Sequence, residues 1–267
     1  MNYQLHRPSP QLSHLISHYW TLDGAQLHGE IVVHRTLANY YPELIFHYGG
    51  AFREIVDQQH TEKTFTGGLH GQTDKVRRFI YNEKCGIFGV MLQPFAVPLL
   101  LKIPSSEVAN QLIDLHTLVG PEGGKLTEKM IAAPNNATRI RLMDHFLEKR
   151  LTQPRHPGIT HIVRNIYTSK GMVDVQDLAD QACLSQRQFE RNFKEQIGFT
   201  AKSFTKLVRF KSLLSEHSKN KSSLTSLAYE YGYYDQSHLI QDFRKFTGYT
   251  PLVYFKGRAG EVFYAPR

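Results

Sequence analysis

The sequence predicts an α+β protein, with a β-rich domain of barrel or sandwich type followed by an all-α domain of two helix-turn-helix units joined by a long helix. Three observations carry this reading. Short alternating stretches separated by glycine turns occupy residues 31–92. After Gln93-Pro94 the texture turns helical. Finally, one helical pattern occurs twice at a spacing of fifty residues: Phe189, Phe193, Gly198 and Thr200 are answered by Leu239, Phe243, Gly248 and Thr250.

A chain of 267 residues with 41% hydrophobic and 21% charged residues has room for about two folded domains. It holds no run of roughly 18 apolar residues, so no transmembrane helix is expected. The start, MNYQLHRPSPQL, lacks the basic-then-apolar build of a signal peptide. Cys85 and Cys183 fall in different halves without a CxxC partner, which fits a reducing, cytoplasmic setting. The net charge is +8 and is unevenly spread. Residues 158–267 hold 16 Lys/Arg against 10 Asp/Glu, a net +6, which leaves +2 for residues 1–157. Excess cations on the repeat-bearing half are what a phosphate backbone attracts, although charge alone also describes a solvated basic surface.

Taken in order, the stretch ISHYW ending at Trp20 reads as helical, and the strand candidates are IVVHRTL from Ile31, ELIFHYG from Glu43, KVRRFIY from Lys75 and CGIFGVML from Cys85. Gly49-Gly50 and Gly67-Gly68 mark turns between them. VPLLLKI is a short helix with Pro98 in its first turn. NQLIDLHTLVG is a helix or a loop packing Leu112, Leu115 and Leu118. ATRIRLMDHFLEKRL places Ile140, Met143, Phe146, Leu147 and Leu151 at helical spacing, a stripe that packs on its own domain or on a second copy. The expected division is a β-rich regulatory domain over 1–150, a linker over 151–158, the helical module over 159–256 and a tail over 257–267.

Within the module, ITHIVRNIYTSKG is a first helix closed by Gly171, and VDVQDLADQAC is the positioning helix of the first unit. Ser185 with Gln188 forms a capping box at the head of the next helix. There Phe189 and Phe193 face the core at i, i+4, while Gln186, Arg187, Glu190, Arg191 and Lys194 face outward. A helix with aromatics beneath and cations above suits the major groove. A connector over roughly 202–217 buries Phe204, Leu207, Val208, Leu213 and Leu214. In the second unit Asp235 caps a helix that buries Leu239, Phe243 and Phe246 and presents Gln236, Ser237, Ile240, Gln241 and Arg244. Gly248 and Pro251 end it. A single such pattern is weak, because any helical hairpin imitates it; two capped and glycine-closed copies are specific.

Over residues 158–256 these positions resemble the DNA-binding module of the AraC/XylS transcription regulators. The second unit carries most of the signature, at Ala228, Gly232-Tyr233, Asp235, Ser237, Leu239, Phe243-Arg244, Gly248 and Pro251. The first agrees at Ala179, Ser185, Phe189, Arg191, Phe193-Lys194 and Gly198. The resemblance implies a sequence-specific regulator of promoter DNA whose first recognition helix reads bases through Gln186, Arg187, Glu190 and Arg191, with Lys194 on phosphate. The second helix would contribute Gln236, Ser237, Gln241 and Arg244. It departs from the pattern at Gln241, where Arg is common, and at Leu239, where Phe is usual. Leu213 likewise stands where Ala is frequent. Glutamine favours adenine and arginine guanine, so the second half-site is read differently or more weakly. Less specifically, PELIFHYGG, FTGGLHGQT and FGVMLQPFAVPLLLKIPSSEV resemble a β-rich domain found ahead of such modules. By family logic that domain senses a small-molecule effector or mediates homodimer formation, with RNA polymerase as a further partner.

The residues that could carry catalysis or hold a metal point elsewhere. The chain has 14 histidines, but His14 and His18 have no acidic or cysteine ligand nearby, and His34, His47 and His70 are scattered over strands, so neither a metal nor any other cofactor is expected. The alternative function is a DNA-repair or DNA-modifying enzyme carrying the same module. It needs an activated cysteine, and the Glu-Lys-Cys-Gly context of Cys85 offers no base. No catalytic residue is therefore assigned. Cys183 is expected to fill core space. Trp20 anchors the edge of the β domain or lines a pocket. The aromatic set Tyr40, Tyr41, Phe46 and Tyr48 is core, or a stack for a planar effector.

Overall fold

Alternation along two strands sets the layering of the β-rich half. The computed structural model describes residues 2–24, 32–50, 52–57, 59–81, 84–152, 158–220, 223–256 and 261–262. One antiparallel sheet orders β1 (Asn2–His6), β2 (Ile16–Asp23), β9 (Gly86–Leu92), β4 (Glu43–His47), β7 (Gly67–His70) and β10 (Leu112–Asp114). A second orders β11 (Glu261–Val262), β3 (Val32–Thr36), β8 (Arg77–Tyr81), β5 (Arg53–Ile55) and β6 (Thr61–Lys63), with β11 parallel to β3. In β4, Leu44 and Phe46 join one core cluster with Phe88, Val90, Leu126, Met130 and Met143, whereas Ile45 joins another with Phe79, Tyr81 and Ile87. Successive side chains on a strand point to opposite faces. The first sheet is therefore the middle layer, between helices on one side and the second sheet on the other.

The helical layer begins with α1 (Ala96–Leu100), α2 (Ser105–Val108), α3 (Leu115–Val119), α4 (Pro121–Ala132) and α5 (Asn136–Glu148). Met143, Phe146 and Leu147 of α5 are buried against the middle sheet, so its apolar stripe is taken up within the chain. Burial of each such side chain contributes about 1.5–3 kcal/mol. Asn135 caps α5 by accepting the Thr138 amide, which replaces a helical acceptor missing at that end. The described residues beyond α5 form helices apart from β11 and the turns: α6 (Ile159–Thr168), α7 (Val175–Gln181), α8 (Gln186–Ile197), α9 (Ala201–Asn220), α10 (Leu224–Glu230), α11 (Gln236–Thr247) and α12 (Pro251–Lys256). The main core runs without a break from the middle sheet into this module, where Tyr40 packs at a tilt against Tyr167 and Phe204.

Several expectations are corrected. ISHYW is extended, not helical, because β2 pairs with both β1 and β9, and ladder pairing overrides local pattern. The segment NQLIDLHTLVG splits, with Leu112–Asp114 pairing with β7 before the Asp114 side chain caps α3. Helix α4 escaped notice because Gly123-Gly124 lowers its helical propensity; a Cβ at Gly123 would strike the Leu115 carbonyl. Cys183 is exposed at a left-handed position (φ +53°) and fills no core space. Pro251 does not simply end the second unit but opens α12. Most of the linker and of the tail lies outside the described residues, although β11 belongs to the second sheet.

Candidate nucleic-acid interface

Two helices carry the residues singled out for DNA, and each is built by the same local devices. Ser185 and Gln188 close a reciprocal capping box on α8, the Ser185 hydroxyl accepting the Gln188 amide and the Gln188 side chain accepting the Ser185 amide. Asp235 does the corresponding work on α11 by accepting the His238 amide at 2.7 Å. Both helices stop at glycines in the left-handed region, Gly198 at φ +86° and Gly248 at φ +75°. Phe189, Phe193 and Ile197 bury one face of α8, as Leu239, Phe243 and Phe246 bury one face of α11. The opposite faces are open: Gln186, Arg187, Arg191 and Lys194 on the first, Gln236, Ser237, Gln241 and Arg244 on the second. Among the described residues none of Arg187, Arg191, Lys194 and Arg244 makes an ion pair, so their charges face solvent uncompensated.

Glu190 departs from the rest. It is half-buried, and its carboxylate accepts the backbone amide of Ala201 at 3.2 Å, the first residue of α9. An anion at a helix N-terminus satisfies an orphan donor and meets the positive end of the dipole. The geometry thus gives Glu190 a fastening task between α8 and the connector. Between the units, Lys206 of α9 pairs with the buried Asp242 of α11 at 2.7 Å, which ties α11 to the same connector. Ile240 is half-buried.

Sequence reasoning missed what holds the far ends of these two helices. The β-rich domain donates to the last carbonyls of both. The Gln72 amide donates to the Ile197 carbonyl, and the Ser105 hydroxyl donates to the Gln196 carbonyl at 2.6 Å. On α11, the Ala38 amide donates to the Phe246 carbonyl at 3.0 Å, and Arg35 donates to the Thr247 carbonyl at 3.4 Å while lying over the Tyr249 ring. Asp74 pairs with Lys245 at 2.8 Å. Burial raises the Asp74 carboxyl, but the hydrogen bond and charge of Lys245 and the Asn110 amide outweigh it and leave it below the usual range. The carbonyls concerned are those a helix end leaves unsatisfied. A Cβ at Gly198 or Gly248 would collide with Gln72 or Arg35, so each glycine serves both its turn and the approach of the other domain. The only sequence signal was the glycines themselves. The clamp leaves free the N-terminal halves of both helices, the part of a recognition helix that meets base edges.

Cys85 is buried, and burial followed by the charge of Asp23 pushes its thiol up to about 12, the reverse of an activated nucleophile. Among the described residues no group of three His, Cys, Asp or Glu is placed to hold a metal. None of their helices is long and apolar enough to cross a membrane.

Two family models match separate stretches of the chain. Residues 178–257 match the family model described as "Helix-turn-helix domain", and residues 4–114 match "Domain of unknown function (DUF6597)". A stretch similar to known helix-turn-helix domains thus follows the β-rich one. A curated relative in Haemophilus influenzae, named an uncharacterized HTH-type transcriptional regulator, is 22% identical over 157 residues, 55% of this chain and 52% of the relative. The chain thus spans about half the length of that relative. Among solved structures, ToxT from Vibrio cholerae is 11% identical with a TM-score of 0.47, covering 94% of this chain and 97% of that one. The AraC-like transcriptional activator CuxR is 10% identical with a TM-score of 0.23, covering 81% and 87%.

Proposed function

We propose that this protein is a sequence-specific, DNA-binding transcription regulator acting in the cytoplasm, with α8 and α11 entering the major groove. The observation that carries this is the pair of glycine-closed helices, each free along the outer face of its N-terminal half and backed by a buried aromatic face. Arg187 and Arg191 contact base edges, Gln186 assists, and Lys194 and Arg244 grip phosphate. Gln236, Ser237 and Gln241 read the second half-site with neutral hydrogen-bonding groups. The β-rich domain regulates the pair by holding both helix ends. In this reading the partners are duplex DNA, RNA polymerase at the promoter, and a second copy of the chain where sites occur in pairs. The protein is not an enzyme in this reading, which the protonated, buried Cys85 supports.

Selection of bound fragments from a genomic library by the purified chain tests the proposal. A recurrent motif with two half-sites about one helical turn apart, roughly 34 Å, is the expected result. Uniform recovery of all fragments would overturn it.

A further inference from the structure

A cavity of about 180 Å³ lies between the two sheets and reaches α9 and α12 through Lys211 and Tyr254. It exceeds the roughly 150 Å³ that accepts a benzene ring in a protein core. Its walls are aromatic, from Tyr3 and Trp20 on the middle sheet to Phe52 and Phe79 beside the second. Trp20 lies across Gly89, where a Cβ would strike the indole, so the glycine lets the ring lie flat on the sheet.

The polar groups in these walls fall into two sets. The charged ones are occupied. Arg77 pairs with Glu54 at 2.7 Å, Arg35 holds the Thr247 carbonyl and the Tyr249 ring, and Lys211 donates to Asn39 at 2.7 Å beside the Glu43 carboxyl. Two neutral ones are not. Nδ1 of His47 and Nε2 of His70 have no hydrogen-bond partner among the described residues. Burial, followed by nearby positive or imidazole groups, lowers both histidines, so their rings stay neutral. Buried donors and acceptors without partners are costly unless something supplies them.

We propose that this cavity binds an uncharged, ring-bearing small molecule with hydrogen-bonding groups on its edge, and that Trp20, His47 and His70 recognise it. An anionic ligand is disfavoured, because every cation at the wall already has a partner. The rings stacked on Phe79, His34 and His70, give flat surfaces suited to a planar molecule. Building on the regulator reading, occupancy reaches DNA through the wall itself. Arg35, Ala38, Asn39 and Thr73 line the cavity, and Arg35 and Ala38 hold α11. Asn39 and Thr73 exchange backbone hydrogen bonds at 2.8 Å, next to the Gln72 that holds α8.

Trp20 is the only tryptophan, so its emission reports on the cavity directly. The full chain is titrated without DNA using benzamide as the neutral planar probe, benzoate as its anionic counterpart and cyclohexanecarboxamide as its non-planar one. Saturable change with benzamide is expected, with benzoate and cyclohexanecarboxamide each weaker by about tenfold, the cost of one lost favourable contact. His70→Phe keeps a stacked ring and loses the nitrogens; it and His47→Phe should each weaken benzamide about tenfold with an unchanged melting temperature. Equal binding by both variants, preference for benzoate, or no saturable change with any probe would each overturn the proposal. If one variant melts early, the other decides. Failure of the DNA reading shows separately, as absence of a motif in the fragment selection, and leaves the emission result standing.

Discussion

Freeing Lys245 from the β-rich domain should tighten DNA binding. Lys245 lies on one stripe of α11 with Ser237 and Gln241, at i, i+4 and i+8, but its ammonium is held by Asp74 at 2.8 Å. Asp74→Asn removes the charge and keeps the side-chain size. The Lys245 side chain is 47% exposed and that of Asp74 26%, so the pair contributes at most about 1 kcal/mol to folding after solvent screening. The fold should therefore survive with little change in melting temperature. On DNA, one further phosphate contact steepens the slope of log affinity against log salt by about 0.9. Between 50 and 200 mM salt that is an extra change of about 3.5-fold, with a net gain at the low end. Fluorescence anisotropy on a selected fragment across that salt range measures both. Lys245→Ala in the same background should abolish the gain. An unchanged slope for Asp74→Asn would refute the idea that the clamp withholds a DNA contact.

Three further outcomes are expected. Arg187→Ala should cost about 1–3 kcal/mol concentrated at one base-pair position in a panel of site variants, and an equal loss on every sequence would make Arg187 a phosphate contact instead. Glu190→Ala should lower stability by about 0.5–2 kcal/mol, read as a lower melting temperature, because the α9 amide loses its acceptor; a changed base preference would return Glu190 to the reading face. Burial raises Glu43 to about 7, against the opposing charge of Lys211, so its folded form holds a proton that its unfolded form releases near the ordinary value of 4.5. Stability therefore falls as pH rises from about 4.5 to about 7, by an amount on the order of 1–3 kcal/mol. Melting of Glu43→Gln against the unaltered chain over that range isolates this from the histidines, which act with the opposite sign, and parallel curves would show that Glu43 does not titrate there.

Helices α8 and α11 were legible in the chain because every device that makes them is local. In each helix the cap, the buried apolar residues and the closing glycine lie within one short stretch, Ser185 to Gly198 and Asp235 to Gly248. Strands β4 and β9 were legible for the same reason, through their alternation. What could not be read was long-range. Trp20 reads as part of a helix until β1 and β9 flank it, and its place on the cavity depends on Gly89, far along the chain. Tyr40 and Tyr41 look like strand aromatics, yet they pack on Tyr167 of the other domain. The clamp joins Gln72 to Ile197 and Arg35 to Thr247, and no periodicity encodes a pairing over such separations. Glu190 shows the converse limit, since its outward register is right while its partner, Ala201, lies beyond its own helix.

The same clamp adds a handful of polar contacts to the apolar core that the two halves share. Because both halves belong to one polypeptide, they meet at an effective concentration of order millimolar, whatever the dilution of the protein. Release is then a first-order event whose midpoint does not shift with copy number. A difference of about 1.4 kcal/mol between the held and released forms would leave one molecule in about ten unlatched. A small ligand or a single substitution is enough to move a balance of that size.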